Sequence, residues 1–305
     1  MAAMTDALVA ALRDRRNDDG GWPAAPGLPS NAECTALAHM AFDALGAGGA
    51  TEVDGAAAWL ARHQAADGGW PFQPDVPLGT WPTALAVLAL GSEGPDGELV
   101  RAGVDHLVRQ EPRKLPWITN LLYWFARDRM SVELNPSVNG WPWAEGAFSW
   151  VEPTSYAVLA LKRFGASAGR PARARWEEGE RMILDRTCVG GGWNHGNYRV
   201  LGEDVHPYPD TTAIALLALQ GSEGLTEVES GLRVLDTMLD EHASGGTLAL
   251  AHLAHRAWGA SGNGVGDRLS EWAAAPAGFG ETRGLALALL ALTEASNPLF
   301  LGGEP

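Results

Sequence analysis

Two apolar patterns alternate along the chain. The first, seen from Ala2 to Arg13, Asp54 to Ala65 and Arg173 to Arg186, mixes apolar positions with a face of arginines, aspartates and glutamates. Such segments predict helices with one solvated side. The second begins at Glu33 (ECTALAHMAFDAL), Thr80 (TWPTALAVLAL), Trp117 (WITNLLYWFA), Glu152 (EPTSYAVLAL), Asp210 (DTTAIALLAL), Thr247 (TLALAHLAHRAW) and Thr282 (TRGLALALLAL). These helices are apolar on every face, so each must be buried on every side. No alternation of period two is sustained anywhere, and strands are not expected.

Between a helix of the first kind and one of the second lies a recurring turn. RRNDDGGWP ends at Pro23, RHQAADGGWP at Pro71 and LDRTCVGGGWN at Asn194, with a looser copy, PSVNGWPW, ending at Trp143. Glycine after a helix suits the left-handed closing position, and a large apolar residue beyond it can pack back on the last turn. Trp22, Trp70 and Trp193 therefore read as clasps. About six outer helices alternating with six or seven inner ones predict an all-α, (α/α)6-type toroid around a central apolar cavity. The even number of hairpins and the clasps favour this closed ring over an open solenoid. One domain over residues 1–295, with a tail at 296–305, accounts for the whole pattern.

With 305 residues, 46% of them apolar, the core is ample. A net charge of −15 excludes nonspecific attraction to nucleic acid or an anionic membrane surface. Two cysteines, Cys34 and Cys188, make no disulfide framework, and no signal peptide or spanning segment is evident. A cytoplasmic protein without stable membrane insertion is the expectation. Glycine-rich runs end helices rather than follow strands, so no phosphate or dinucleotide loop is indicated.

The Gly-Gly-Trp closures, with WVEPTSYAVLAL and YPDTTAIALLAL, resemble the prenyltransferase and squalene-cyclase repeat family. That family includes squalene-hopene cyclases, class II diterpene cyclases and the β subunits of protein prenyltransferases. The resemblance implies a toroid whose cavity holds an isoprenoid chain. It also implies an Asp-x-Asp-Asp-Thr segment whose middle aspartic acid protonates an alkene. The matching segment here, Tyr208 to Ala213, keeps only Asp210, and Glu152 stands in the corresponding place one repeat earlier. The zinc-holding Asp-x-Cys of the prenyltransferases is missing, so neither a metal nor another cofactor is expected. The aspartate-rich magnesium motif of the ionising terpene synthases is missing too.

Alkene protonation needs a neutral, acidic carboxyl in a dry pocket and aromatic rings facing the carbocation. Asp210 and Glu152 are the candidate acids, although each also suits a helix cap. Glu33 fits a capping box with Ser30. Thirteen tryptophans call for explanation. Trp81, Trp117, Trp124, Trp141, Trp143 and Trp150, with Tyr156 and Tyr208, are the candidate lining of a lipophilic site, and His206 could tune Asp210. His252 and His255 share a helix face, a pairing that more commonly packs than binds metal.

Three readings follow. The first is a terpene cyclase-like enzyme that binds a lipophilic substrate, its mouth closed by a homodimer or a partner subunit. The second is a non-catalytic toroid carrying a lipid or peptide. The third is a carbohydrate-active (α/α)6 enzyme using paired carboxylates across an open cleft.

Overall fold

In a computed structural model, the described residues are 2–76, 78–92, 94–114, 118, 125, 135, 137–240, 242–275, 280–293 and 297–301. Among them, helices of the two predicted kinds alternate strictly. The outer set is α1 (Ala2–Arg13), α3 (Ala50–Arg62), α5 (Glu98–Arg109), α7 (Gly169–Asp185), α9 (Thr226–Met238) and α11 (Val265–Ala274). The inner set is α2 (Ala32–Asp43), α4 (Pro82–Gly91), α6 (Val151–Phe164), α8 (Pro209–Ala218), α10 (Gly245–Ala257) and α12 (Thr282–Leu292).

Each inner helix packs on the next, from α2 through α4, α6, α8 and α10 to α12, and α12 packs back on α2. Helix α1 lies against α11 and α12, so the two ends of the chain meet and the ring is closed. Leucine and alanine fill the inner layer, and Leu85 to Ala89, Val158 to Leu161 and Leu285 to Leu290 are fully buried. Burial on all sides is what their unbroken apolar sequence demands.

Four indole clasps tie the outer layer to the inner one. The backbone N–H of Trp22, Trp70, Trp141 and Trp193 donates to the hydroxyl oxygen of Thr35, Thr83, Thr154 and Thr212 at 2.8–3.0 Å. Their indole N–H groups donate to Leu12, Leu60, Leu107 and Ile183 at 2.7–2.9 Å, each a carbonyl near the end of an outer helix. Gly68, at φ 88°, takes the left-handed closing position that the turn requires. Indole and carbonyl are 10 residues apart in three of the clasps but 34 apart for Trp141. The difference marks an insertion between α5 and its clasp. The segment expected to form a further inner helix from Trp117 falls in this insertion, largely outside the described residues. The ring closes with α4 directly against α6.

The two ends of the ring differ. At the C-terminal ends of the inner helices, residues 297–301, part of the expected tail, fold back across the ring. Gln220 donates to the Leu299 carbonyl at 2.8 Å, and Arg163 donates to Phe300. Arg256 lies over the Phe300 ring, and Leu299 is fully buried. At the N-terminal ends lie the longer connections from outer to inner helices. They carry two small hairpins, β1 (Trp141–Pro142) with β2 (Ser149–Trp150), and β3 (Arg199–Val200) with β4 (Glu203–Asp204). Among the described residues, every exposed large apolar side chain, including Leu28, Leu78, Phe148, Leu201 and Tyr208, lies on these connections.

Candidate functional site

The clasps fix the register in which the inner helices meet the mouth. Two residues before the clasp threonines Thr35, Thr83, Thr154 and Thr212 stand Glu33, Trp81, Glu152 and Asp210. Helix α12 contributes Arg283 at its second position, and α10 contributes Gly246. The mouth is therefore walled by three carboxylates, one guanidinium, one indole and one glycine. Beside Arg283 a cavity of about 500 Å³ opens, lined by Ser244, Gly246, Trp272, Glu281 and Gly284 among others.

Arg283 gathers the carboxylates. Its Nε lies 3.1 Å from Glu33 Oε1 and its Nη2 lies 3.1 Å from Glu152 Oε1. These two nitrogens form one edge of the planar guanidinium, so the two carboxylates sit side by side. Burial pushes the Glu33 carboxyl up to about 7, against the pull of Arg283 and with Glu152 and Glu281 adding to the rise. Glu152 is raised too, again chiefly by burial, with Asp210 contributing and Arg283 opposing. Burial works against the charge on Arg283, yet Tyr156, Glu152, Glu33 and Asp210 outweigh it and hold its pKa above the usual value.

Tyr156, one turn beyond Glu152 on α6, links this cluster to a group of aromatic rings. Its side chain is 1% exposed, and burial raises its phenol above the ordinary range. The hydroxyl faces Arg283 but makes no hydrogen bond of acceptable geometry, and Oδ1 of Asp210 is likewise buried without a partner. On the other side, the Tyr156 ring lies 6.4 Å from that of Trp81. Trp81 meets Trp143 edge-on at 4.9 Å and stacks with Phe72 at 6.3 Å. At the rim, His195 stands between Trp150, at 6.4 Å, and Tyr208, at 5.0 Å.

Of the residues singled out from sequence, Glu152, Asp210, Tyr156, Trp81 and Trp143 converge here, with Trp150 and Tyr208 at the exposed edge. Trp117 and Trp124 lie outside the described residues. Trp141 is not part of the mouth: it is a fourth clasp, 1% exposed, with the Arg175 guanidinium 3.8 Å above its ring. His206 is exposed and leaves the buried Asp210 Oδ1 without a partner. His255 pairs with Asp236 of α9 at 3.0 Å, and Gly266 of α11 packs beside His252, so both histidines face the outer layer. Among the described residues no three histidine, cysteine or acidic side chains are grouped to hold a metal.

The capping-box reading of Glu33 is overturned. Asn31 caps α2 by accepting from the Cys34 N–H at 2.9 Å, while Ser30 donates to Asp19. Asp210 and Glu152 are not N-caps either, since Tyr208 and Trp150 hold those positions. Arg283 is the residue that motif reasoning missed, while the sequence offers Glu33 first as a capping residue and also as one of three carboxylates at inner-helix starts round the mouth. The signal for Glu33 was its place two residues before a clasp threonine. Arg283 gave only an arginine interrupting the start of an apolar helix.

No protein-family model matches the chain, and no curated protein does. Solved structures do. A protein from Actinoplanes is 20% identical, covering 90% of this chain and 80% of its own, with a TM-score of 0.58. A type II terpene cyclase from Scytonema, in complex with its substrate geranylgeranyl dihydroxybenzoate, is 17% identical over 89% and 77%, at 0.55. An α-amylase from Clostridium perfringens is 11% identical over 94% and 96%, at 0.62. The fold is the α/α toroid. At these identities the likeness to toroid enzymes is one of fold alone, and the chemistry must be argued from the mouth of this toroid.

Proposed function

We propose that the protein is a general-acid enzyme that takes a lipophilic, isoprenoid-type substrate at the mouth of the toroid and starts its cyclisation by protonation, in the manner of a class II terpene cyclase. The observation that carries this reading is the position of Tyr156, whose ring borders both the Arg283 carboxylate cluster and the Trp81–Trp143 group. A proton donor and a cation-stabilising wall are thereby adjacent.

Glu33, held near neutrality, keeps a substantial protonated fraction at physiological pH. Its proton passes to the terminal alkene carbon, the π pair forms the new C–H bond, and a tertiary cation is left facing the Trp81, Trp143 and Tyr156 rings. The carboxylate that remains is stabilised by the Arg283 Nε–H, so the donor becomes a better acid as the reaction proceeds. After ring closure, a neighbouring carboxylate, Glu152 or Asp210, takes up the proton that leaves the final cation. The apolar collar on the connections into the inner helices suits delivery of such a substrate.

Sugar chemistry is the second reading, favoured by the exposed Trp150 and Tyr208 rings, which offer stacking surfaces at the rim. Against it, Glu33 and Glu152 are both held on one guanidinium edge instead of facing each other across an open cleft.

The test is product analysis after incubation with polyprenyl alcohols, diphosphates, squalene and oligosaccharides. Turnover of an isoprenoid is expected, lowered at least ~100-fold in Glu33→Gln. Equal turnover by that variant removes Glu33 as donor. Turnover of oligosaccharides alone moves the assignment to sugar chemistry, and binding without turnover moves it to a carrier.

A further inference from the structure

Two buried polar groups at the mouth make no hydrogen bond of good geometry, and they are chemically complementary. The Tyr156 O–H is a donor without an acceptor, in a side chain only 1% exposed; Asp210 Oδ1 is an acceptor without a donor. Both belong to the charge cluster around Arg283, Tyr156 on α6 and Asp210 on the neighbouring α8. A buried polar atom left unpaired costs about 1–3 kcal/mol. Two such atoms in the charge cluster of one arginine point to a ligand that pairs with them.

We infer that the substrate carries a neutral hydroxyl group, an alcohol or phenol on a lipophilic chain, which donates to Asp210 Oδ1 and accepts from the Tyr156 hydroxyl. This deepens the proposed function and rests on its placement of the substrate at the mouth. Other head groups fit less well. A hydrocarbon leaves both atoms unpaired. An ammonium satisfies Asp210 but has no lone pair for Tyr156. A diphosphate or carboxylate meets Glu33, Glu152, Asp210 and Glu281, with Arg283 already paired to the first two. A hydroxyl both gives and takes one hydrogen bond without bringing a charge.

Binding tests this independently of turnover, with quenching of intrinsic tryptophan fluorescence as the readout. The probes share one geranylgeranyl chain: the alcohol, its methyl ether, the amine, the diphosphate, and the hydrocarbon ending in a methyl group. The alcohol is expected to bind ~10-fold or more tightly than the hydrocarbon, the ether falling between them. Tyr156→Phe and Asp210→Ala, checked for folding by circular dichroism and thermal melting, each reduce that preference ~5–10-fold and leave hydrocarbon affinity unchanged. Glu33→Gln keeps the preference, so undiminished turnover by that variant with the preference intact would overturn the acid assignment alone. Equal affinity for alcohol and hydrocarbon overturns the inference. So do tighter binding of the amine or diphosphate, an undiminished preference in both variants, and binding of none of the probes.

Discussion

At the mouth, Glu33 keeps a substantial protonated fraction at neutral pH, where the same side chain in water would be ionised. Its carboxyl is raised from 4.5 to about 7 in the folded chain, so folding takes up a proton between those values. Stability contributed by this group is full below about pH 4.5 and declines as pH rises through 7. Thermal melts of the unaltered protein and of Glu33→Gln across pH 4.5–8 should show a shallower decline in the variant; parallel curves would argue that Glu33 titrates normally. Removing the cation instead strands two carboxylates. Arg283→Met is expected to destabilise the protein by about 3–5 kcal/mol at pH 8, measured by urea unfolding, and by clearly less at pH 5, where Glu33 is protonated. The sequence showed Glu152 and Asp210 because each opens an apolar helix in a recognisable repeat. It hid their relation to Arg283, since Glu33 and Arg283 meet only once the last inner helix packs on the first.

At the level of the element, the clasp does the same task four times with different surroundings. Thr83→Val keeps the shape of the side chain but removes the acceptor for the Trp70 N–H, which lies buried 2.8 Å away. A loss of about 1–3 kcal/mol is expected in denaturant unfolding. Gly103 packs under the Trp70 ring, where an added Cβ would meet Trp70 at 2.8 Å and Val87 at 2.6 Å. Gly103→Ala should therefore cost about 1–3 kcal/mol even though alanine favours helix, and an unchanged midpoint would show that the clasp can shift. These elements were legible from sequence because glycine, tryptophan and unbroken apolar runs each have a single economical structural use. Trp141 was not, because its partner Leu107 lies across an insertion and the local Gly-Trp-Pro looks like one more aromatic loop.

For the whole molecule, closure matters more than any one hairpin. An open array of repeats can fray from its ends, whereas here α12 is held by α2 and α1. One cooperative unfolding transition is expected, with tryptophan fluorescence and circular dichroism coincident; separated transitions would argue that the ring opens in stages. The returning segment 297–301 has a different consequence, for traffic rather than for stability. By lying across the far side of the ring it covers that end, so among the described residues the mouth is the side left for entry. Under the proposed function, a product formed at the mouth leaves past the point where the next guest arrives. Product should therefore compete with substrate for the free protein, so a slow-leaving, rigid product would throttle its own formation long before the chemistry became limiting.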